Sequence, residues 1–411
     1  MRRRLPAALQ ERDFALLWSA LFANGLALQM LAVAIGWQVY AIHRNPFDLG
    51  LVGLTEFLPL PVLALPAGQL ADRLPRRTVA AGSYVVAVGI AVALVAVTLA
   101  GARALWPFLV LAAISGTTNV TGSPAQRAMI PEIVPEELLQ GAVTQRNLAT
   151  RLGVIAGPAL GGVIFSFEPV AVYISAAALF ACALFSILSI RPLARSLLVA
   201  EAPGWDSLVA GVRFIWRTRM LLGAIALDLF GVLFGDSIAL APVFARTILH
   251  QGPIGLGLLR TAPSVGGLAA ALLLTGRPLQ RRAGPTLLAV VAIFGGCMIV
   301  FGFSRWLPLS LAALCLAGFV DMISVNIRST AVTLLTPPQL QGRVNAVETV
   351  FVSASNELGA FEAGTLASLI GTVPAVVAGG AAMIAIAATW TRLFPQLSRL
   401  GRLGDLQAEP A

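Results

Sequence analysis

Five carboxylates, Glu56, Asp228, Asp236, Asp321 and Glu357, stand inside long apolar stretches of a 411-residue chain. An ionised side chain at the centre of a bilayer costs about 2.5–3.5 kcal/mol on insertion scales, so such groups face a partner, water or a cavity. A carboxyl group taken out of water also holds its proton to higher pH. Carboxylates so placed can take up and release protons near neutrality in competition with a second ligand, which is the minimum chemistry for coupling two solutes. Glu56 lies roughly 10 Å below one surface, and Glu357 falls near the middle of its stretch. Asp228 and Asp236 are eight residues apart, about 80° around a helix, so both can face one cavity. Asp321 is placed to pair with Arg328, two turns further on. Glu348 and Glu362 read as helix-end charges. Each of the five can equally serve as a hydrogen-bond anchor between helices.

The elements that carry these residues are membrane spans. Hydrophobic residues make up 58% of the chain and charged residues 11%, against about 25% charged in soluble domains. Twelve apolar stretches each match a hydrocarbon core of about 30 Å. They cover 13–41, 49–70, 78–100, 105–126, 141–167 and 169–190, then 219–246, 254–276, 285–304, 306–330, 343–372 and 374–392. Stretches 3, 6, 9 and 12 have no Asp, Glu or Arg in their interiors, which predicts four lipid-facing helices around eight that enclose a polar cavity. The expected class is an all-α integral membrane protein of two six-helix halves, 1–190 and 219–398. A cytoplasmic linker, 191–218, joins them, and a tail, 399–411, follows. In the linker Leu208, Val212, Ile215 and Trp216 recur at helical spacing, as in a helix lying at the headgroups.

The net charge of +9 invites a nucleic-acid partner, and its distribution refutes one. All basic residues other than the two histidines are arginine. With the N-terminus in the cytoplasm, 23 arginines fall inside and five, Arg44, Arg103, Arg246, Arg260 and Arg305, fall on or near the outer side. That is the positive-inside bias, and it puts both termini in the cytoplasm. Arginine in place of lysine suggests a GC-rich bacterial genome and so the inner, or plasma, membrane. A P-loop needs a lysine to hold phosphates, so no ATP hydrolysis is expected of this chain, and no other enzyme activity. Cys182, Cys297 and Cys315 lie in apolar segments without ligand spacing; no metal and no cofactor are called for.

The two halves repeat one text. Gly68-Gln-Leu-Ala-Asp72-Arg73-Leu-Pro-Arg76-Arg77-Thr78, after the second stretch, returns 208 residues later as the worn Gly276–Thr286, with Gln280 in place of Asp72. At an offset of 202, Gly116, Asn119, Pro135 and Leu138 meet Gly318, Asp321, Pro337 and Leu340. Same-direction duplication of a six-helix unit is a plan of membrane carriers, with substrate held where the halves meet. A self-sufficient monomer acting on a small molecule within the lipid bilayer is implied.

The first of these motifs, Gly68, Asp72, Arg73, Arg76 and Arg77, resembles motif A of the major facilitator superfamily, which in that family holds a gate closed. Gly153-Val-Ile-Ala-Gly157-Pro158-Ala-Leu-Gly161-Gly162 resembles that superfamily's motif C, associated with antiporters. Its physics is a close helix crossing on small residues with a proline that removes one backbone donor; a crossing without directional meaning fits it too. Pro124–Pro135, Gln341–Val347, Ser355–Phe361 and Glu56-Phe-Leu-Pro59 narrow the resemblance to the drug:proton antiporter-3 group, which includes macrolide and enterobactin exporters. The resemblance implies secondary active export by proton antiport. It departs from many proton-coupled relatives in having Ala112 where they carry an arginine four residues before the Gly116 position, so coupling through that arginine cannot be carried over. A solute importer or uniporter, and a transport-dead receptor or assembly factor, remain alternatives on the same fold. The candidate acids outnumber Arg260 and Arg328, which predicts a net acidic cavity and favours cationic or weakly basic amphiphiles.

Overall fold

In hydrocarbon an apolar run can satisfy its amides only within itself, so each long stretch must be helical. The computed structural model describes residues 6–63, 74–191, 205–235, 237–276, 282–402 and 404, with no strand among the described residues. Its main helices are α1 (Arg12–His43), α2 (Pro46–Phe57), α3 (Arg76–Leu99), α4 (Trp106–Ile133), α5 (Leu139–Phe167) and α6 (Pro169–Ser189). There follow α7 (Trp205–Arg217), α8 (Arg219–Gly235), α9 (Gly252–Gly276), α10 (Ala283–Phe303), α11 (Leu307–Leu335), α12 (Gln341–Ile370) and α13 (Thr372–Leu393). Among the described residues ten segments are long and apolar enough to cross a membrane. Helices α4 and α12 are as long, at 28 and 30 residues, but are not among those ten. Thr117, Thr118, Asn119, Thr121 and Ser123 lower the hydropathy of the first, and Glu348, Asn356, Glu357 and Glu362 that of the second. Polarity of that kind marks helices that line polar space.

The stretch expected as a single span over 219–246 is one span by length and apolarity, Arg219–Ile248, but not one regular helix. Helix α8 ends at Gly235, and a short 3-10 turn (Ile238–Leu240), an α turn (Ala241–Val243) and a π turn (Phe244–Ile248) follow. Pro242 lies in the α turn, where it has no N–H to continue a regular ladder. The predicted linker helix is present as α7. Ile215 is buried against Val344 and Val347 of α12, whereas Trp216 is 68% exposed. Part of its apolar face therefore packs on protein.

The chain divides into two compact units: Met1–Arg44 with Thr55–Ala202 and Gly252–Thr261, and Asn45–Leu54 with Pro203–Gln251 and Ala262–Ala411. Within the first, α1 packs on α5 and α6, and α3 packs on α4 and α6. Within the second, α8 packs on α12 and α13, and α10 packs on α11 and α13. These contacts correspond pair by pair, so the repeat in the sequence is a repeat of packing. The four helices expected to face lipid present exposed apolar side chains, among them Val92, Phe185, Ile293 and Leu393.

Small residues make the closest crossings. A Cβ on Gly153 would stand 2.8 Å from the backbone of Gly25, and one on Gly161 would stand 2.9 Å from Cα of Met30, so α1 and α5 meet backbone to backbone. Gly116 and its repeat Gly318 do the same duty in the two units. A side chain on Gly116 would strike the carbonyl of Glu56 in α2, and one on Gly318 would strike the carbonyl of Pro263 in α9.

Overpacking a tight contact costs about 1–3 kcal/mol or more, whereas alanine for glycine on an open helix face is worth about 0.5–1 kcal/mol in the other direction. Gly153→Leu is expected to lower the melting temperature of the purified protein sharply or to abolish folded yield. Gly89→Ala, with nothing within 4 Å of the added carbon, is expected to hold or raise it. Thermal unfolding in detergent checks both, and equal behaviour of the two variants would refute the tight crossing.

Candidate functional site

Helix α8 carries Asp228, α11 carries Asp321 and Arg328, and α12 carries Glu348 and Asn356. These residues line one cavity of about 270 Å³ in the second unit. Arg328 donates a short charge-assisted hydrogen bond to the Asp228 carboxylate. Arg328 thus bridges helices α8 and α11, with Asp321, its expected partner by spacing, in the same cavity lining. Glu348 lies in the electrostatic range of both Asp228 and Arg328. Its reading as a helix-end charge is corrected: on α12 it turns inward to face the pair. Three carboxylates and a single arginine stand among the described lining residues.

The first unit holds a second cavity of about 250 Å³, enclosed by α1, α3, α4 and α5, with polar residues Asn24, Gln29, Ser115, Asn119 and Gln126 in its wall. Two arginines, Arg127 and Arg146, line it, and no carboxylate does among the described lining residues. The expected excess of acids over arginines is therefore found in the lining of the second unit's cavity and not in that of the first. Depth counted along a helix treated Arg127 and Arg146 as surface charges, but the long side chain of arginine reaches inward from near a helix end.

The two cavities are built at equivalent places. At the 202-residue offset Asn119 corresponds to Asp321, Gln126 to Arg328, Arg127 to Ser329 and Arg146 to Glu348, and every one of these residues lines its own cavity. The charge at the α5 position and its α12 counterpart is inverted.

The remaining candidates lie elsewhere. Glu56 accepts hydrogen bonds from Ser115 Oγ and Asn119 Nδ2, each at 3.4 Å, with Arg260 of α9 in electrostatic range. Glu357 has its carboxylate beside Gly53, where an added Cβ would stand 3.2 Å from Oε2. Asp236 lies outside the described residues, as do Gly68, Asp72 and Arg73 of the charged motif. The rest of that motif makes a clamp: Arg76 pairs with Glu132 at 2.7 Å and donates to the carbonyl of Ala128 at 2.6 Å. Arg77 donates to the carbonyls of Ile187 and Leu188. Helix α3 is thereby tied to the ends of α4 and α6. Burial pushes the Glu132 carboxyl above its ordinary value, and Arg76 opposes that push. In the glycine–proline motif, Gly153, Gly157 and Gly161 face α1, while Gly162 and the carbonyl of Pro158 meet Gly257 of α9.

Removing one partner of a buried ion pair costs about 3–5 kcal/mol when the other is left uncompensated. Arg328→Leu would leave three carboxylates together, whereas Asp228→Asn leaves two to serve Arg328. The arginine variant is expected to be the less stable, by about 2 kcal/mol or more, in thermal unfolding of the purified protein. The reverse order would show that Arg328 does not hold the cluster together.

Comparison with known proteins agrees with this architecture. A family model described as transmembrane secretion effector matches residues 6–400. The multidrug efflux pump Tap of Mycolicibacterium fortuitum is 30% identical over 377 residues, covering 87% of this chain and 89% of that protein. The enterobactin exporter EntS of Citrobacter koseri is 28% identical over 398 residues, covering 94% and 92%. Among solved structures, a bacterial homologue of the human lysosomal transporter Spinster superposes with a TM-score of 0.74 at 14% identity, covering 97% of this chain and 98% of that one. A bacterial homologue of the iron transporter ferroportin gives 0.70 at 16% identity, covering 96% and 100%. The fold is that of the major facilitator superfamily.

Proposed function

The chain belongs to the transmembrane secretion effector family of major facilitator transporters, and on that premise we propose that it is a secondary active exporter of small amphiphilic molecules, of drug or siderophore type, driven by proton antiport with alternating access. The observation that carries this reading is the presence of Asp228, Asp321 and Glu348 with Arg328 in the lining of one cavity. A cluster with more carboxylates than counter-charges is eased by either a proton or a cationic group. Entry of a basic substrate supplies the positive charge that a proton supplied before, so a carboxyl group gives up its proton as the substrate binds. Proton uptake from the opposite side then expels the substrate. Glu56, with Ser115 and Asn119 as hydrogen-bond donors, is a second proton-binding candidate, and Glu357 and Asp236 are further ones.

Export rather than import is supported by the glycine–proline seam of α5, which resembles the antiporter motif, and by the efflux and export functions of the two relatives. The clamp made by Arg76 and Arg77 would belong to the gate, with Gly68, Asp72 and Arg73. The arginine distribution supports a plasma-membrane protein with both termini in the cytoplasm. The internal repeat supports a working monomer of two six-helix halves, 1–190 and 219–398.

The test is substrate-dependent proton movement in proteoliposomes holding an internal pH dye, with protein-free liposomes to subtract passive entry of weak bases. Weak bases, macrolides and catecholate siderophores form the panel. Wild-type protein is expected to move protons on addition of at least one class, and Asp228→Asn and Glu56→Gln are each expected to cut that signal at least about tenfold. Saturable flux without proton movement would make the protein a uniporter and leave Glu56 a structural anchor.

A further inference from the structure

Proton exchange at the carboxylate cluster leaves the first unit's cavity without a task. Its two arginines lie in electrostatic range of each other, so their like charges oppose one another unless an anion stands between them. Nε of Arg146 is buried without a hydrogen-bond partner among the described residues. The hydroxyl of Tyr84, a residue only 1% exposed, is in the same condition and lines the same cavity. Buried donors without partners are rare in folded proteins, and each asks for an explanation. Here the two flank one space, with Ile90 and Phe180 as apolar wall. At about 250 Å³ the cavity is smaller than the roughly 300–1,000 Å³ typical of drug-sized pockets, so it suits one ring and its charged group.

We propose that this cavity is an anion subsite that takes a carboxylate or phenolate borne on an aromatic ring, with Arg127 and Arg146 supplying the charge and the Tyr84 hydroxyl donating a hydrogen bond. Its use in selecting substrate rests on the export reading; binding itself does not. Position decides the sign: at the place where the second unit has Glu348, the first has Arg146, and the site equivalent to Arg328 is the neutral Gln126. Nothing in the lining therefore cancels the two arginines, whereas Arg328 partly cancels the acids of the other unit.

The experiment is calorimetric titration of the full-length protein in phosphatidylcholine nanodiscs with salicylate and with salicylamide, which has the same ring and hydroxyl but no charge. Salicylate is expected to bind saturably and at least about tenfold more tightly than salicylamide. Arg146→Gln should weaken salicylate at least about tenfold, and Arg146→Lys should restore part of the loss. Tyr84→Phe should weaken it about threefold to tenfold while holding or raising the melting temperature, since it deletes an unpartnered buried hydroxyl. A merely structural tyrosine would not lose ligand affinity while gaining stability.

A second set of nanodiscs containing phosphatidylglycerol separates a solute anion from a lipid headgroup. Unchanged salicylate affinity supports the solute, and its loss assigns the site to lipid and overturns the proposal. Equal binding of the two probes would also overturn it, as would insensitivity to Arg146→Gln or loss in Arg328→Gln instead. None of these results depends on proton coupling. A proton-silent protein that binds salicylate would sink antiport and keep the subsite, while a proton-coupled one that ignores the charge would do the opposite.

Discussion

A charge carried into a hydrocarbon layer must be met by something polar or it opposes insertion, and the arrangement of this protein follows from that demand. Asp228 is met by Arg328 across two helices. Glu56 is met by a hydroxyl and an amide of α4. Helices rich in such polar residues stop looking like spans: α4, which supplies Ser115 and Asn119, and α12, which carries Glu348 and Glu357, fall outside the segments that qualify on length and apolarity among the described residues. The four helices spared such residues in their interiors, α3, α6, α10 and α13, keep apolar surfaces for lipid. Charge placement thus separates lining from supporting helices only in part: α3 keeps an apolar face outward and also lines the first unit's cavity through Ser83 and Tyr84.

The second constraint is distance. Apolar side chains gain little from one another in a medium that is itself apolar, so helices associate through close backbone approach. Gly25 and Gly153 bring α1 and α5 together, and Gly116 and Gly318 repeat one device in the two units. A glycine seam holds a crossing fixed without burying a polar group, which leaves the polar residues of α4 and α11 free to face the cavities. The clamp by Arg76 and Arg77 works differently: at a helix start, where arginine reaches carbonyls at neighbouring helix ends, it fastens α3 by hydrogen bonds.

Much of this was legible from residue order. Stretch lengths fixed the helices, and the offset of 202 that aligned Gly116 with Gly318 also aligned the helices lining each cavity. What residue order could not supply was the rotation of each helix about its axis and the reach of its side chains. Glu348 sits in the second turn of α12 and looked like a surface charge until the helix was turned. Arg127 and Arg146 were counted as orienting charges for the same reason. The partner of Arg328 was sought along its own helix, where spacing can be counted, and was found on α8, where it cannot. The irregular turns from Ile238 on were missed because Asp236 and Ser237 stand in an otherwise apolar run that reads as one span.

Inversion of sign between equivalent cavities assigns the two kinds of chemistry. Arginine does not titrate in any physiological range, so the charge set by Arg127 and Arg146 is constant, and selection by that cavity would be independent of pH. Carboxylates around one arginine behave otherwise. On the antiport reading Arg328 would stay compensated by Asp228 or Glu348 while another acid of the same lining gained or lost a proton, a freedom that the lining of the first unit lacks. In that unit Glu56 is titratable, and it is held by neutral donors with Arg260 in range. Duplication supplied two copies of one cavity, and substitution at a few equivalent positions was enough to make one of fixed sign and one of variable charge.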